Sequence, residues 1–269
     1  MTENANTPIS CGRATPALRP MRLWASVLFF GIPTLTMILA YYVLMPGLIK
    51  GGFLPYSAQC IALLVPLTGL LLAGLVGYRL EGRRLSWRAI AARFRWHRMD
   101  GRAWLWTLGV WALQLAIWFV LQKLSAWLIA QGFMPVPEGL PAFLDPRTTD
   151  SVAALEQATG GLQGNWGFAL MSMALLIVNI AGEEVWWRGY VLPRQELAFG
   201  KWTWLVHGLM WTGFHAFKWW DLVSLLPLCL GLSYVTHRLR NNSTGFVIHT
   251  LQKADFFLVV VPLILIGSP

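Results

Sequence analysis

The chain has 269 residues, of which 56% are hydrophobic and only 12% charged, with 16 tryptophans and a mean hydropathy of +0.54. Soluble domains carry roughly 25% charged residues, so this composition excludes an ordinary soluble globule and points to lipid as the solvent. The net charge of +9 does not read as a nucleic-acid footprint, because the basic residues lie in short segments between apolar runs and not along one soluble face.

Residues 1–22 form a polar tail without the basic, apolar and small-residue succession of a cleaved signal, so insertion is expected to use the first span. The 3 cysteines, Cys11, Cys60 and Cys229, are odd in number and lack metal spacing. Cys60 and Cys229 read as small buried hydrophobes, and Cys11 as a free thiol or an acylation site.

Residues 23–269 read as one all-α, polytopic membrane domain. Apolar windows occur at Leu23–Met45, Ala58–Tyr78, Ala103–Ile129, Trp166–Leu192, Trp202–Lys218, Leu222–Val235 and Gly245–Ile266, which makes about seven spans by the length a bilayer requires. The fifth and sixth are short for full crossings and suit a re-entrant hairpin. Gly69, Ala73 and Gly77, four residues apart, offer a face for close helix packing.

Lysine and arginine bias sets the expected orientation. Arg83, Arg84, Arg88, Arg93, Arg95 and Arg98 crowd the segment after the second span, whereas Glu138, Asp145, Asp150 and Glu156 stand against Arg147 alone after the third. With Arg238 and Arg240 ahead of the last span, every basic cluster falls on one side. The expectation is a multi-pass protein of the cell (inner) membrane, N-terminus cytoplasmic and C-terminus external. The stretch Leu85–Arg98, with Trp87, Ile90, Phe94 and Trp96 among its arginines, reads as a loop or a surface helix on anionic lipid.

The fourth window carries Asn179, Glu183, Glu184 and Arg188. Charged groups near a bilayer centre cost at least ~2.5–3.5 kcal/mol each and persist where they are paired, wet and functional. The next segment adds His207, Trp211 and His215, and the last adds His249 and Lys253 with Asp255 close behind. Counted at about 1.5 Å per residue, these groups lie at unequal depths, so tilt or re-entry is needed to bring them together. Together they permit hydrolysis: a carboxylate takes a proton from water, a histidine shares it, and further donors hold an oxyanion. A zinc site of two Glu and two His, a structural cluster of ion pairs, and a proton or ion relay of a transporter use the same residue types.

The pattern resembles the CPBP family of intramembrane glutamic proteases, which includes the type II CAAX prenyl endopeptidases and bacteriocin-processing or self-immunity proteins. The family's Glu-Glu-x-x-x-Arg motif is matched by Glu183-Glu184-Val185-Trp186-Trp187-Arg188. Its Phe-x-x-x-His motif is matched by Trp211 to His215, with tryptophan for phenylalanine, and its third histidine by His249. The likeness covers about residues 166–254. It implies that Glu183 and His215 activate water, that Glu184 assists or pairs with Arg188, and that His249 helps to form the oxyanion site, with no cofactor and no metal. Lys253 stands where the family places asparagine or a similar side chain, as an oxyanion donor or as the mark of a member that binds without cleaving. The implied partner is a membrane-associated protein or peptide within the lipid bilayer.

Overall fold

The computed structural model describes residues 17–254 and 256–266, and every regular element among them is helical. Cys11 and Asp255 lie outside the described residues. Among the described residues, four helical runs are long and apolar enough to cross a membrane: Leu23–Lys50, Pro55–Leu80, Gly101–Ala130 and Trp166–Leu239; Ser243–Leu251 with Phe256–Ile266, bent by 45°, makes up to a fifth. The 74-residue fourth run takes in the predicted windows that begin at Trp166, Trp202 and Leu222, which abut as separate helices.

The first run is α1 (Leu23–Leu39), a π turn (Ala40–Leu44) and α2 (Met45–Lys50), and a short turn leads to α3 (Pro55–Leu80). The basic segment holds the short α4 (Trp87–Arg93), capped by Ser86, and α5 (Gly101–Ala130) starts at the Asp100 cap. In the acidic segment α6 (Ser151–Thr159) starts on Asp150 and ends at Gly160, whose φ of 75° glycine adopts without steric cost. The remaining helices are α7 (Trp166–Glu183), α8 (Leu192–Phe199), α9 (Thr203–Phe214), α10 (Leu222–Leu239), α11 (Ser243–Leu251) and α12 (Val261–Ile266). Pro193 sits in the first turn of α8, a position that proline suits.

Helix α3 packs along α7, and α10 packs between α5 and α9. The close approach of α3 and α7 uses glycines other than the predicted stripe. A Cβ at Gly182 would lie 2.5 Å from the Leu67 carbonyl oxygen, and one at Gly74 would lie 2.6 Å from Val185. Gly77 does pack, against Tyr190, but Gly69 has open space and lines an apolar groove of about 960 Å³ with Ala73, Ile32 and Val43. The core is strongly aromatic. Trp187, fully buried, stacks on Phe30 with ring centroids 4.2 Å apart and meets Phe214 edge-on at 5.1 Å.

The basic segment is tied into the bundle by two carboxylates. Glu81 receives Arg83 Nε at 2.6 Å, Arg93 Nη2 at 2.7 Å and Arg194 Nη2 at 2.8 Å. Burial alone would raise the Glu81 carboxyl, but Arg93, Arg83 and Arg194 outweigh it and bring it down to about 2. Arg93 also donates to the Gly189 carbonyl at 2.7 Å. Glu196 holds Arg95 at 2.7 Å and His237 at 3.1 Å. The segment expected to lie as a loop or on lipid is thus partly a clamp across the end of the bundle, while Leu85 and Trp87 remain exposed.

Candidate active site

Glu183 closes α7, and the chain then winds as a π turn over Glu184–Val191. The wider winding places Val185 to Gly189 in a buried stretch; single π turns inside helices often mark functional sites. Asn179, one turn earlier, donates Nδ2 to Glu183 Oε1 at 2.8 Å. From α9, Trp211 donates Nε1 to Oε2 at 2.7 Å. Each Glu183 oxygen thus takes one neutral donor and keeps accepting capacity.

A cavity of about 450 Å³ is lined by Glu183, Asn179, His215, His249 and Lys253 on its polar side, and by Leu67, Leu175 and Phe217 among its apolar walls. His215 opens the 3₁₀ stretch His215–Asp221 at the end of α9. Its Nδ1 lies 2.9 Å from the Trp211 carbonyl oxygen. A carbonyl only accepts, so Nδ1 carries the proton, and in the neutral ring Nε2 is left as the basic nitrogen.

Behind the cavity, Glu184 and Arg188 are both 0% exposed, with Nη1 3.2 Å from Oε1. This contact is an ion pair without hydrogen-bond alignment, since among the described residues the guanidinium nitrogens have no hydrogen-bond partner. The guanidinium instead lies 3.4 Å from the centroid of the Trp211 ring, a desolvated cation–π contact of the kind that contributes about 2 kcal/mol or more. His249 Nδ1 donates to Glu184 Oε1 at 2.9 Å, which leaves its Nε2 free of that bond.

The turn from α10 to α11 completes the back wall. Arg240 adopts φ 49°, a left-handed conformation that ends α10. Two residues on, Asn242 donates Nδ2 to the Glu184 carbonyl at 2.9 Å. A Cβ at Gly245 would stand 2.5 Å from Glu184 Oε2 and 2.9 Å from Asn242 Oδ1, so only glycine fits beside this carboxylate.

The structure therefore brings Glu183, His215, His249 and Lys253 to one cavity and sets Glu184 and Arg188 behind it. His207 does not join them: it is fully buried, 2.7 Å from Gln195 Oε1, and meets the Phe30 ring edge-on. Lys253 is exposed beyond α11, and no carboxylate pairs with it among the described residues. Sequence reading missed Asn242 and Gly245, which lie in an unremarkable helix start, and the Lys218–Asp221 pair at 2.8 Å. That pair reaches the cavity through a break at Lys218 (φ −130°, ψ 60°). Among the described residues no three His, Cys, Asp or Glu side chains are grouped to hold a metal ion.

Residues 165–254 match a family model described as Rce1-like, type II CAAX prenyl endopeptidase Rce1-like. No curated protein and no solved structure matches the chain.

Proposed function

From its membership of the CPBP family of membrane proteases, carried by residues 165–254, we propose that the chain is a glutamic endopeptidase that cuts a membrane-associated protein or peptide inside the cavity. The observation that supports this most is the division of labour between adjacent glutamates: Glu183 lines the cavity, and Glu184 is committed to Arg188 and His249 behind it.

In this reading Glu183 accepts a proton from water as the oxygen attacks the scissile carbonyl. Nε2 of His215, basic because Nδ1 is held by the Trp211 carbonyl, orients that water or shares its proton. Lys253 donates to the oxyanion that forms, and His249 does so through Nε2 in its protonated form, with Nδ1 held on Glu184. Collapse of the tetrahedral intermediate breaks the C–N bond, and the proton passes from Glu183 or His215 to the leaving amine. Asn179 and Trp211 keep the Glu183 carboxylate in place throughout.

The apolar walls suit a substrate that enters from the bilayer, and the name of the matched family makes a prenylated peptide one candidate within that class. We place the site toward the cytoplasmic half of the cell membrane, with the N-terminus inside, from the arginine bias. Lys253 favours a second reading, a member of the same fold that binds and protects a partner without cleaving it. Comparing the membrane proteome of cells with and without the gene separates the two. The protease reading expects shortened products only when the gene is present; an unchanged set of termini with an altered abundance of one partner supports binding alone.

A further inference from the structure

Where the basic segment enters α5, a second cavity of about 360 Å³ is lined by His97, Arg98, Asp100, Arg102, Arg238 and Asn241. Other arginines of this end of the bundle are ion-paired: Arg83, Arg93 and Arg194 share Glu81, and Arg95 is held by Glu196. Among the described residues, no carboxylate forms an ion pair with Arg98, Arg102 or Arg238. Asp100 is the one acid of this lining, and its Oδ1 is taken by the Ala103 N–H at 2.7 Å as the cap of α5. Arg98, Arg102 and Arg238, all exposed, therefore give this lining a surplus of guanidinium charge over Asp100.

Arg102 adds a second argument. It stands in the first turn of the 30-residue α5, where the helix already presents its positive end, so its charge has the unfavourable sign there. An anion in the cavity would offset both. Immediately after it, Trp104 is 44% and Leu105 74% exposed, as expected where a crossing helix leaves the headgroup layer for hydrocarbon.

We propose that Arg98, Arg102 and Arg238 bind the phosphate of an anionic phospholipid headgroup, with the acyl chains running along α5 past Trp104 and Leu105. The proposal stands independently of the proteolytic reading. It also touches the site's back wall. Asn241, which lines the cavity, accepts from the Ser243 N–H at 3.0 Å, within the turn that carries Asn242 to Glu184.

The test uses the full-length protein in a nonionic detergent, titrated separately with phosphatidylglycerol, phosphatidylcholine and inorganic phosphate, and read by native mass spectrometry and thermal unfolding. Phosphatidylglycerol is expected to bind saturably and raise the midpoint, and the other two to do neither. Arg98→Gln with Arg238→Gln should weaken its binding by about tenfold or more, the scale of losing two basic groups at a headgroup surface. Arg84→Gln with Arg88→Gln, which removes the same charge from equally exposed positions of the same segment that do not line the cavity, should leave binding unchanged. Equal losses in the two double variants would overturn the site in favour of diffuse surface attraction. Phosphatidylcholine binding as well as phosphatidylglycerol would also overturn it. Inorganic phosphate binding as tightly as the lipid would overturn the headgroup assignment.

Discussion

Trp211 donates its indole N–H to Glu183 at 2.7 Å, and this one side chain joins the two layers of the site. Its N–H holds the carboxylate that lines the cavity, while its ring carries the guanidinium of Arg188. Trp211→Phe keeps an aromatic face but loses the donor. Cleavage should survive, since phenylalanine is the family's usual residue, with a stability loss of about 1.5–3 kcal/mol, the range for a hydrogen bond to a charged group. Trp211→Leu should cost a further ~2 kcal/mol by removing the cation–π contact as well. Thermal unfolding of the two variants side by side reads the difference; equal losses would mean that the ring contributes nothing to holding Arg188.

Gly245 offers a sharper probe of the back wall. Gly245→Ala drives a methyl group against Glu184 Oε2 and Asn242, and overpacking of this kind costs about 1–3 kcal/mol. It should lower both the unfolding midpoint and turnover. Gly213→Ala is the matched control, because nothing lies within 4 Å of its Cβ position; stability should hold or rise slightly, as alanine is the better helix former. A harmless Gly245→Ala would contradict the packed position of Glu184.

Stability should fall in acid through Glu81. Its carboxyl is drawn down to about 2 in the folded protein by Arg93, Arg83 and Arg194 acting against burial. A depressed folded value means that the contribution is complete above the unfolded range, about 4.3 for a free glutamate, and is lost as pH falls from there toward 2. Glu81→Gln should therefore be less stable at neutral pH and show a flatter acid limb between those limits. An acid limb identical to that of the parent would remove Glu81 from the account.

The orientation can be checked by labelling. With Cys60 and Cys229 buried and Cys11 replaced by serine, a cysteine at the exposed position of Glu138 should react with an impermeant reagent from outside intact cells. One at the exposed position of Arg88 should not. Labelling at Arg88 would reverse the topology and turn the site to the external half.

The charged motif was legible because lipid makes it so: Glu183, Glu184 and Arg188 in an apolar run demand partners, and hydropathy marked the segments they join. The partners' identities were less visible. Nothing in the local pattern distinguishes the π turn over Glu184–Val191 from ordinary helix, since winding with one extra residue per turn leaves the same apolar residues buried. Gly69 and Ala73 had the spacing of a packing face, yet Gly74 and Gly182 carry the contact, because the crossing point of α3 and α7 is a tertiary fact. The break after α11 falls at the polar Gln252 and Lys253, where the sequence reads as one span with Lys253 a site residue inside it and not as its interruption. His207 shared the four-residue rhythm of Trp211 and His215, and only the packing of Phe30 and Gln195 around it separates it from the site.

In the proposed mechanism Glu183 is the base and Glu184 its structural neighbour, and cleavage measured beside unfolding for Glu183→Gln and Glu184→Gln separates these two roles. Glutamine at 183 keeps an acceptor for one of its two donors but takes no proton from water, so turnover should fall by at least about 10²–10⁴-fold, the usual share of a general base, with the protein still folded. Glutamine at 184 leaves Arg188 buried without its charge partner and should cost about 3–5 kcal/mol of stability, with activity lost alongside the fold. Full cleavage by Glu183→Gln would contradict the account and leave a protein that binds without cutting.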